Sequence, residues 1–245
     1  LANITDTDRR NSASGIWRDR VAALKNIGKE EDADAIKGWL RSQHAQTIRE
    51  RKRGAKPRDF DLIGTEFHRW VRDHEAALDL GPSAAFGRFI EEDFAFYAHW
   101  YERIRQAAET LTEDLEAIHY NARNNFTLQY PVLLAPLVRS DDEDEILRKI
   151  RVVSSFLDIL ITRRIWNWKS TSYSTMQYNM FQLVILKIRG KSSVRLAEIL
   201  TERLEAEEET FATNERFQLH GQNGRQIHRL LARITDFVEI SSGRQ

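Results

Sequence analysis

Apolar residues recur at helical spacing along most of this chain, and that period constrains its fold more than any other feature. Ile16, Val21, Leu24 and Ile27 fall on one face of a predicted helix. Glycine (11) and proline (4) are scarce among the 245 residues, which disfavours the frequent turns of a β-sheet protein. The sequence therefore predicts an all-α fold, with 41% hydrophobic residues to form a sizeable core.

Turn-forming residues interrupt the helical period at several points. Gly28 separates the first two predicted helices, GAKP at 54–57 precedes the third, and GPS at 81–83 precedes the fourth. Four helices are thus expected by residue 107. Over the whole chain, the pattern predicts a compact multi-helix domain with about eight or nine helices.

Two further helix starts are predicted from capping boxes. Thr110 with Glu113, and Ser140 with Glu143, have the required spacing. In that motif a hydroxyl and a carboxylate each accept a hydrogen bond from a free backbone N–H at the helix start. Helices are therefore expected to begin near both sites.

The most apolar helices are expected in the second half of the chain. Segment 141–166 is apolar on nearly all sides and segment 174–188 is equally apolar, a pattern typical of helices at the centre of a protein. They are predicted to form a central apolar helical hairpin within residues 141–189. An acidic amphipathic helix is expected at 196–209, and a last helix at 226–240.

Neither an internal repeat nor a long linker divides the sequence. A single helical domain over residues 1–245 is the prediction, and two lobes, 1–110 and 111–245, are the alternative. The chain begins with Leu1 rather than Met, and a helical pattern starts within a few residues. We therefore expect it to be a fragment of a larger protein.

The absence of cysteine excludes disulfides and cysteine-ligated zinc or iron–sulfur sites. No apolar run approaches the roughly 20 residues that span a bilayer. The first ten residues, LANITDTDRR, also lack the basic and apolar regions of a signal peptide. These features predict a cytoplasmic protein that does not bind a membrane.

Charge is segregated along the chain, although the formal net charge is zero. Basic residues crowd segment 37–58, and no acid occurs between Asp158 and Glu198. Cations release counterions from nucleic-acid phosphates, and nearby aromatics can stack on bases. The candidate DNA or phosphate contacts are Arg51, Lys52, Arg53, Arg163, Arg164, Trp166, Trp168 and Lys169. The alternative is that RERKR, at 49–53, is a solvated helix end and that both tryptophans belong to the core.

No motif for catalysis or metal binding is present. None of the seven histidines has the paired spacing of HExxH, and the acidic run at 141–145 suits the first turn of a helix. The glycine patterns GxxxxGK[ST], GxGxxG and GxSxG are also missing. We therefore predict no catalytic residue, no metal site and no cofactor in this segment.

Several sequence strings are more specific than their spacing alone. In order, they are LANITDTDRR, GKEEDADAIKGWLRSQHA with TIRERKRGA, IGTEFHRWVRD, NARNNFTLQYPVLLAPL and RRIWNWKSTSYSTMQY. Together they resemble, over nearly the whole chain, the helical region of the GmrSD-type restriction endonuclease family. In that family this region follows a ParB/sulfiredoxin-like domain with a DGQQR motif, and many members continue into an HNH-type nuclease domain.

The resemblance implies a role in bacterial defence against modified phage DNA. Neither DGQQR nor the HNH-type histidines occur in this sequence, so no catalytic residue carries over. The nucleoside triphosphate and divalent metal of the family would belong to the parent protein's other domains. Those N-terminal and C-terminal domains are the implied partners, with DNA as a further one.

Within IGTEFHRWVRD, four polar residues span more than one helix face and are candidates for a polar network: Glu66, His68, Arg69 and Arg72. A network that ties helices together and a ligand-binding role both remain open for them.

Three functions are compatible with these observations. The first is a helical connector that positions the active domains and contacts DNA phosphates. The second is a protein–protein interaction module that never meets nucleic acid. The third is a segment whose nucleotide contacts are completed by the N-terminal domain. The sequence does not predict the oligomeric state.

Overall fold

The regular structure of this chain is helical. The computed structural model describes residues 4–81, 83–214 and 224–243. Across these ranges there are ten helices and no strand. They are α1 (Thr7–Ile27), α2 (Glu31–Gln43), α3 (Asp59–Asp73), α4 (83–109), α5 (Glu116–Arg123), α6 (Gln129–Leu134), α7 (Glu143–Trp166), α8 (173–188), α9 (Ser193–Glu205) and α10 (Gly224–Ser241). The all-α prediction is confirmed. One helix more than expected is present, because α6 is too short to show a period.

Two of these helices contain a wider turn. Phe89–Phe94 within α4 and Met180–Ile185 within α8 are π-helical, and regular α-helix continues on both sides of each. Four helices are complete by residue 109, in agreement with the sequence pattern.

Side-chain caps begin several helices, but neither predicted capping box forms. Asp142 caps α7, accepting a hydrogen bond from the Glu145 backbone N–H (2.7 Å), so Ser140 lies outside the helix. Aspartate serves as well as serine at this position, and here it stands closer to the apolar stretch. Thr110 ends α4 in an extended conformation, and α5 begins only at Glu116.

The central helices share one apolar core. Buried positions repeat along α7, including Val153 and Leu157, and along α8, including Phe181 and Val184. Helix α6 contacts both helices, and its Leu133 is fully buried. One contiguous cluster of buried side chains forms this core, and its members range in sequence from Leu24 to Leu200. Whether the chain divides into lobes at residue 110 stays a prediction.

A partly buried arginine fixes the chain at the end of α2. Arg189 donates from Nε to the carbonyl oxygen of Ser42 (2.6 Å) and from a terminal nitrogen to that of Ala45 (2.9 Å). The last carbonyls of a helix have no partner within the helix, so these bonds satisfy two acceptors at its end. Arg189 therefore anchors the start of the segment that joins α2 to α3.

Candidate nucleic-acid interface

The segment between α2 and α3 is held at its base by Asp59. One oxygen of this carboxylate accepts hydrogen bonds from the backbone N–H groups of Gln46 and Thr47 (both 3.0 Å) and from the Thr47 hydroxyl (2.9 Å). The other oxygen accepts from the Trp70 indole (3.1 Å). Burial alone would raise the pKa of Asp59, but these hydrogen bonds outweigh it and leave the pKa below its usual value.

A second carboxylate closes this segment into a loop. Asp61 accepts from the backbone N–H groups of Arg49 (2.9 Å) and Arg58 (3.1 Å), and it also pairs with the Arg49 guanidinium (3.3 Å). Gly54 lies between the two ends with φ of 78°, a left-handed conformation that glycine adopts without strain. We call residues 49–58 the basic loop.

The basic loop presents cations to solvent. Its one acid, Glu50, pairs with Lys52, whose side chain is still 68% exposed. Three further cations are exposed and form no ion pair with any residue that the structure describes: Arg53, Lys56 and Arg58. The interpretation of RERKR as a solvated helix end is wrong, because these residues lie in a loop, held there by carboxylates that follow them in the sequence.

Arg51 attaches the basic loop to the start of α8. Its guanidinium donates to the Asn179 side-chain oxygen (2.8 Å) and to the Thr175 carbonyl oxygen (3.4 Å), and it lies 4.7 Å from the centre of the Tyr178 ring. An open cleft of about 320 Å³ separates the loop from α8, with Lys52 at its edge. The loop and the first turns of α8 thus form one surface.

Hydroxyl groups extend this surface beyond α8. Ser172 contacts the hydroxyls of Ser170 (3.1 Å) and Thr175 (2.9 Å). Arg164 donates twice to the carbonyl oxygen of Ser170 (3.2 and 3.1 Å). Arg164 therefore contacts the same short segment, 170–175, as Arg51 does, so the structure brings parts of both predicted basic clusters together.

Two other predicted contact residues hold the end of α9 and the chain that follows it. Arg163 donates to the carbonyl oxygen of Leu204 (3.1 Å), and Lys169 pairs with Glu209 (3.3 Å). The predicted acidic helix at 196–209 ends at residue 205. These bonds are intramolecular, so Arg163 and Lys169 contribute to the packing of the C-terminal part.

The two tryptophans at the end of α7 have different environments. Trp166 is half-buried and donates its indole N–H to the carbonyl oxygen of Phe211 (2.9 Å). Trp168 is 46% exposed and has φ of 60°, where the chain turns out of the helix. The alternative that placed both tryptophans in the core is therefore wrong for Trp168.

The four polar candidates of α3 lie largely at the surface. Arg69 pairs with Glu66 (3.4 Å) and with Asp73 (3.5 Å), both within the same helix. His68 and Arg72 are exposed. Their placement supports neither a ligand site nor a network that ties α3 to other helices.

Sequence reasoning missed the residues that shape the basic loop. Asp59 and Asp61 follow the basic run directly, in the string RDFD. That string contained a usable signal, since aspartates at a helix start often accept hydrogen bonds from nearby backbone N–H groups.

The described ranges contain neither a cluster of metal ligands nor a membrane-spanning helix. No group of three or more histidine, aspartate or glutamate side chains is arranged there to hold a metal ion. Among the helices of the same ranges, none combines the length and apolar character required to cross a bilayer.

The sequence matches no protein-family model, and neither the curated proteins nor the solved structures give a match. The resemblance to the GmrSD-type family therefore stays a prediction.

Proposed function

We propose that this chain is a helical connector that contacts DNA phosphates through the basic loop. The resemblance to the GmrSD-type family suggests a modification-dependent restriction protein of the bacterial cytoplasm as its parent. Nucleotide hydrolysis and DNA cleavage, with their divalent metal, would belong to the flanking domains. The observation that carries the proposal is the group of exposed, unpaired cations at Arg53, Lys56 and Arg58, on a loop fixed at both ends.

A fixed loop favours phosphate contact for an energetic reason. A flexible basic tail loses conformational entropy when it binds, whereas a loop held by Asp59 and Asp61 has lost most of it already. Arg51 and Arg164 meet at the adjacent segment 170–175, and its hydroxyls can donate to phosphate oxygens as well. Such contacts give affinity without sequence preference.

Acidic residues near α9 do not cancel this surface. Glu207 pairs with Arg203, and Glu209 pairs with Lys169, and both carboxylates are largely buried. Exposed charges further apart than the Debye length of about 8 Å interact little at physiological salt. The local charge of the loop therefore matters more than the net charge of zero.

The test is duplex DNA binding by fluorescence anisotropy at several salt concentrations. The Lys52→Gln, Arg53→Gln, Lys56→Gln triple variant removes three exposed charges without touching Arg51 or the aspartates that hold the loop. Each phosphate contact contributes about −0.9 to the slope of log K against log salt, so the slope should weaken by up to about 3.

A matched control removes three exposed lysines elsewhere, in the variant Lys29→Gln, Lys187→Gln, Lys191→Gln. It carries the same change in net charge, and its DNA affinity should stay within about twofold of the parent. If the two triple variants bind alike, contact through the basic loop is wrong. Both should keep the parent's melting temperature.

A specific observation also favours the second function, a protein–protein interaction module. Helix α10 exposes one apolar side, with Leu231 and Ile234 each 58% exposed, Phe237 70% and Val238 56%. Together with Phe211, it borders an apolar groove of about 470 Å³. Contiguous exposed apolar surface of this kind is characteristic of interaction sites.

A variant of the apolar side of α10 separates the two functions. Ile234→Gln with Val238→Gln should weaken binding to the parent's separately expressed flanking domains, measured by calorimetry, if α10 is an interaction surface. The same variant should bind DNA normally. Unchanged binding to both flanking domains would rule out α10 as the surface that contacts them.

A further inference from the structure

A third, smaller cleft lies between α5, α7 and α10, away from the residues of the basic loop. It encloses about 210 Å³. Among the described residues, its lining contains three arginines, Arg123 from α5 and Arg229 and Arg233 from α10, but only one carboxylate, Asp236. Positive charge is therefore concentrated there.

One of the three arginines is neutralised by the protein itself. Arg233 forms a two-pronged hydrogen-bonded pair with Asp158 of α7, and its guanidinium lies 4.6 Å from the centre of the Tyr120 ring. Asp158 is only 4% exposed. This pair attaches α10 to the rest of the protein and leaves no charge for a ligand.

The other two arginines have no such partner. Neither Arg123 nor Arg229 forms an ion pair with any residue in the described ranges, and Asp236 forms none there either. Arg123 donates from Nε to Nε2 of His119 (3.3 Å), and Nδ1 of His119 lies 3.1 Å from the Ala108 carbonyl oxygen. Histidine carries no negative charge, so this contact does not neutralise Arg123.

The surroundings of Arg229 disfavour its own charge. Burial lowers the pKa of Arg229, and the positive charges of Arg225 and Arg123 lower it further. Two guanidiniums from different helices thus line one space, and Asp236, the one described carboxylate in that lining, pairs with neither of them. Arg123 is exposed and Arg229 is partly buried, so both charges are available to an anion that enters the cleft.

We propose that this cleft binds an oxyanion of the phosphate class, held between Arg123 of α5 and Arg229 of α10. Guanidinium groups match the geometry and charge of phosphate oxygens. The volume is below the roughly 300 Å³ at which pockets for drug-sized ligands begin, which fits a small ion or the terminal phosphate of a larger molecule.

One further polar atom distinguishes phosphate from other anions. The Oε1 atom of Gln226, also in the lining, is buried without a hydrogen-bond partner among the described residues. An acceptor of this kind needs a donor. Inorganic phosphate keeps an O–H at neutral pH, whereas sulfate has none, so phosphate should bind more tightly than sulfate.

Binding would also tighten the attachment of α10. This helix leaves its apolar side exposed and is attached to α7 by the Arg233–Asp158 pair. An anion that bridges Arg123 and Arg229 adds a second point of attachment and removes their repulsion. Bound phosphate should therefore slow amide hydrogen exchange in α10.

The experiment is calorimetric titration of the full 245-residue chain with inorganic phosphate, at constant ionic strength set by chloride. Arg123→Gln and Arg229→Gln should each weaken binding about tenfold or more, the usual effect of losing one charge-assisted hydrogen bond. Arg72→Gln is the matched control, because Arg72 is exposed on α3, forms no ion pair with any described residue and does not line the cleft. Its affinity should equal that of the parent.

Amide hydrogen exchange in α10 is a second measurement, which tests the proposal even if one variant folds poorly. Phosphate at a few millimolar should slow exchange in α10 of the parent and the control, but not in the two cleft variants. General salt effects act equally on the parent, the control variant and the two cleft variants. Absence of saturable phosphate binding, or equal binding by all four proteins, would overturn the proposal.

The source of the phosphate is decided by competition. A short single-stranded oligonucleotide with a 5′-phosphate is compared with the same strand ending in a 5′-hydroxyl. Displacement of phosphate by the first strand alone supports a phosphate monoester as ligand, and displacement by neither supports the free ion. The basic-loop variant carrying Lys52→Gln should bind phosphate like the parent, so failure of the DNA proposal and failure of this one are distinguishable.

Discussion

Replacing Lys149 of α7 by methionine should strongly destabilise the protein. Lys149 is 1% exposed, and its ammonium donates to the Pro136 carbonyl oxygen (3.0 Å) and to the Asp141 carboxylate (2.6 Å). Asp141 also accepts from the Val138 backbone N–H (3.1 Å). The lysine thus fixes the turn that joins α6 to α7.

Methionine fills a similar volume but leaves a carboxylate and a carbonyl oxygen without their donor. Removing one partner of a buried pair typically costs about 3–5 kcal/mol. For a chain of this size, each kcal/mol corresponds to about 2–4 °C, so the melting temperature should fall by about 6–20 °C. Urea unfolding followed by circular dichroism gives the free energy of unfolding directly.

Arg148 provides the matched control, one residue away on the same helix. It is 53% exposed and pairs with Glu145 at 3.1 Å, so Arg148→Met should cost less than about 1 kcal/mol. Adding Asp141→Asn to Lys149→Met removes the unpaired charge and should recover part of the loss. Equal effects of the two methionine variants, or purely additive effects in the double variant, would refute this reasoning.

Other substitutions test buried and exposed groups in turn. Burial, together with the charge of Arg189, lowers the pKa of His44 to about 4, so the unfolded state takes up this proton first. The free energy of unfolding should therefore fall between about pH 6.5 and pH 4, and His44→Gln should flatten that decline; an unchanged slope would contradict it. Arg233→Gln leaves Asp158 buried without its partner and should speed amide exchange in α10, whereas retained protection would show that the pair is not needed there. Phe237→Gln should shift the melting temperature by less than about 2 °C, because the side chain is 70% exposed, and a larger loss would place it in the core.

Helix positions were predictable because the signal is local. An apolar residue every three or four positions requires only the neighbouring turns, and it located the helices up to residue 109 and the central pair. Helix starts were less predictable. Ser140 and Asp142 are both good capping residues, and Asp142 caps α7 because it stands closer to the apolar stretch.

The candidate site shows more clearly what the sequence alone could not predict. Arg163 and Arg164 are neighbours in sequence, yet successive residues point about 100° apart on a helix. One contacts residue 204 and the other residue 170. Sequence alone could identify the cations, but their partners depend on which segments the fold brings alongside, and that is tertiary information.

Helix α10 illustrates the same limit for apolar residues. The period from Ile227 to Val238 correctly identified an amphipathic helix at 226–240. It could not show whether the protein itself covers the apolar side, and Leu231 and Ile234 are left exposed. A periodic pattern tells which side of a helix is apolar, whereas only the fold tells what lies against it.

The different use of acids and bases explains how a chain of zero net charge can still present a phosphate-binding surface. Asp59 accepts hydrogen bonds from two backbone N–H groups, the Thr47 hydroxyl and the Trp70 indole. Asp61 accepts from two backbone N–H groups and pairs with Arg49, so the two aspartates shape the basic loop while neutralising few of its cations. Elsewhere the reverse holds, since Glu207 and Glu209 each pair with a cation. A DNA phosphate at the loop is within a Debye length of the loop cations and is screened from distant charges. Charge removed from the loop should therefore weaken DNA binding, and the same charge removed from Lys187 should not.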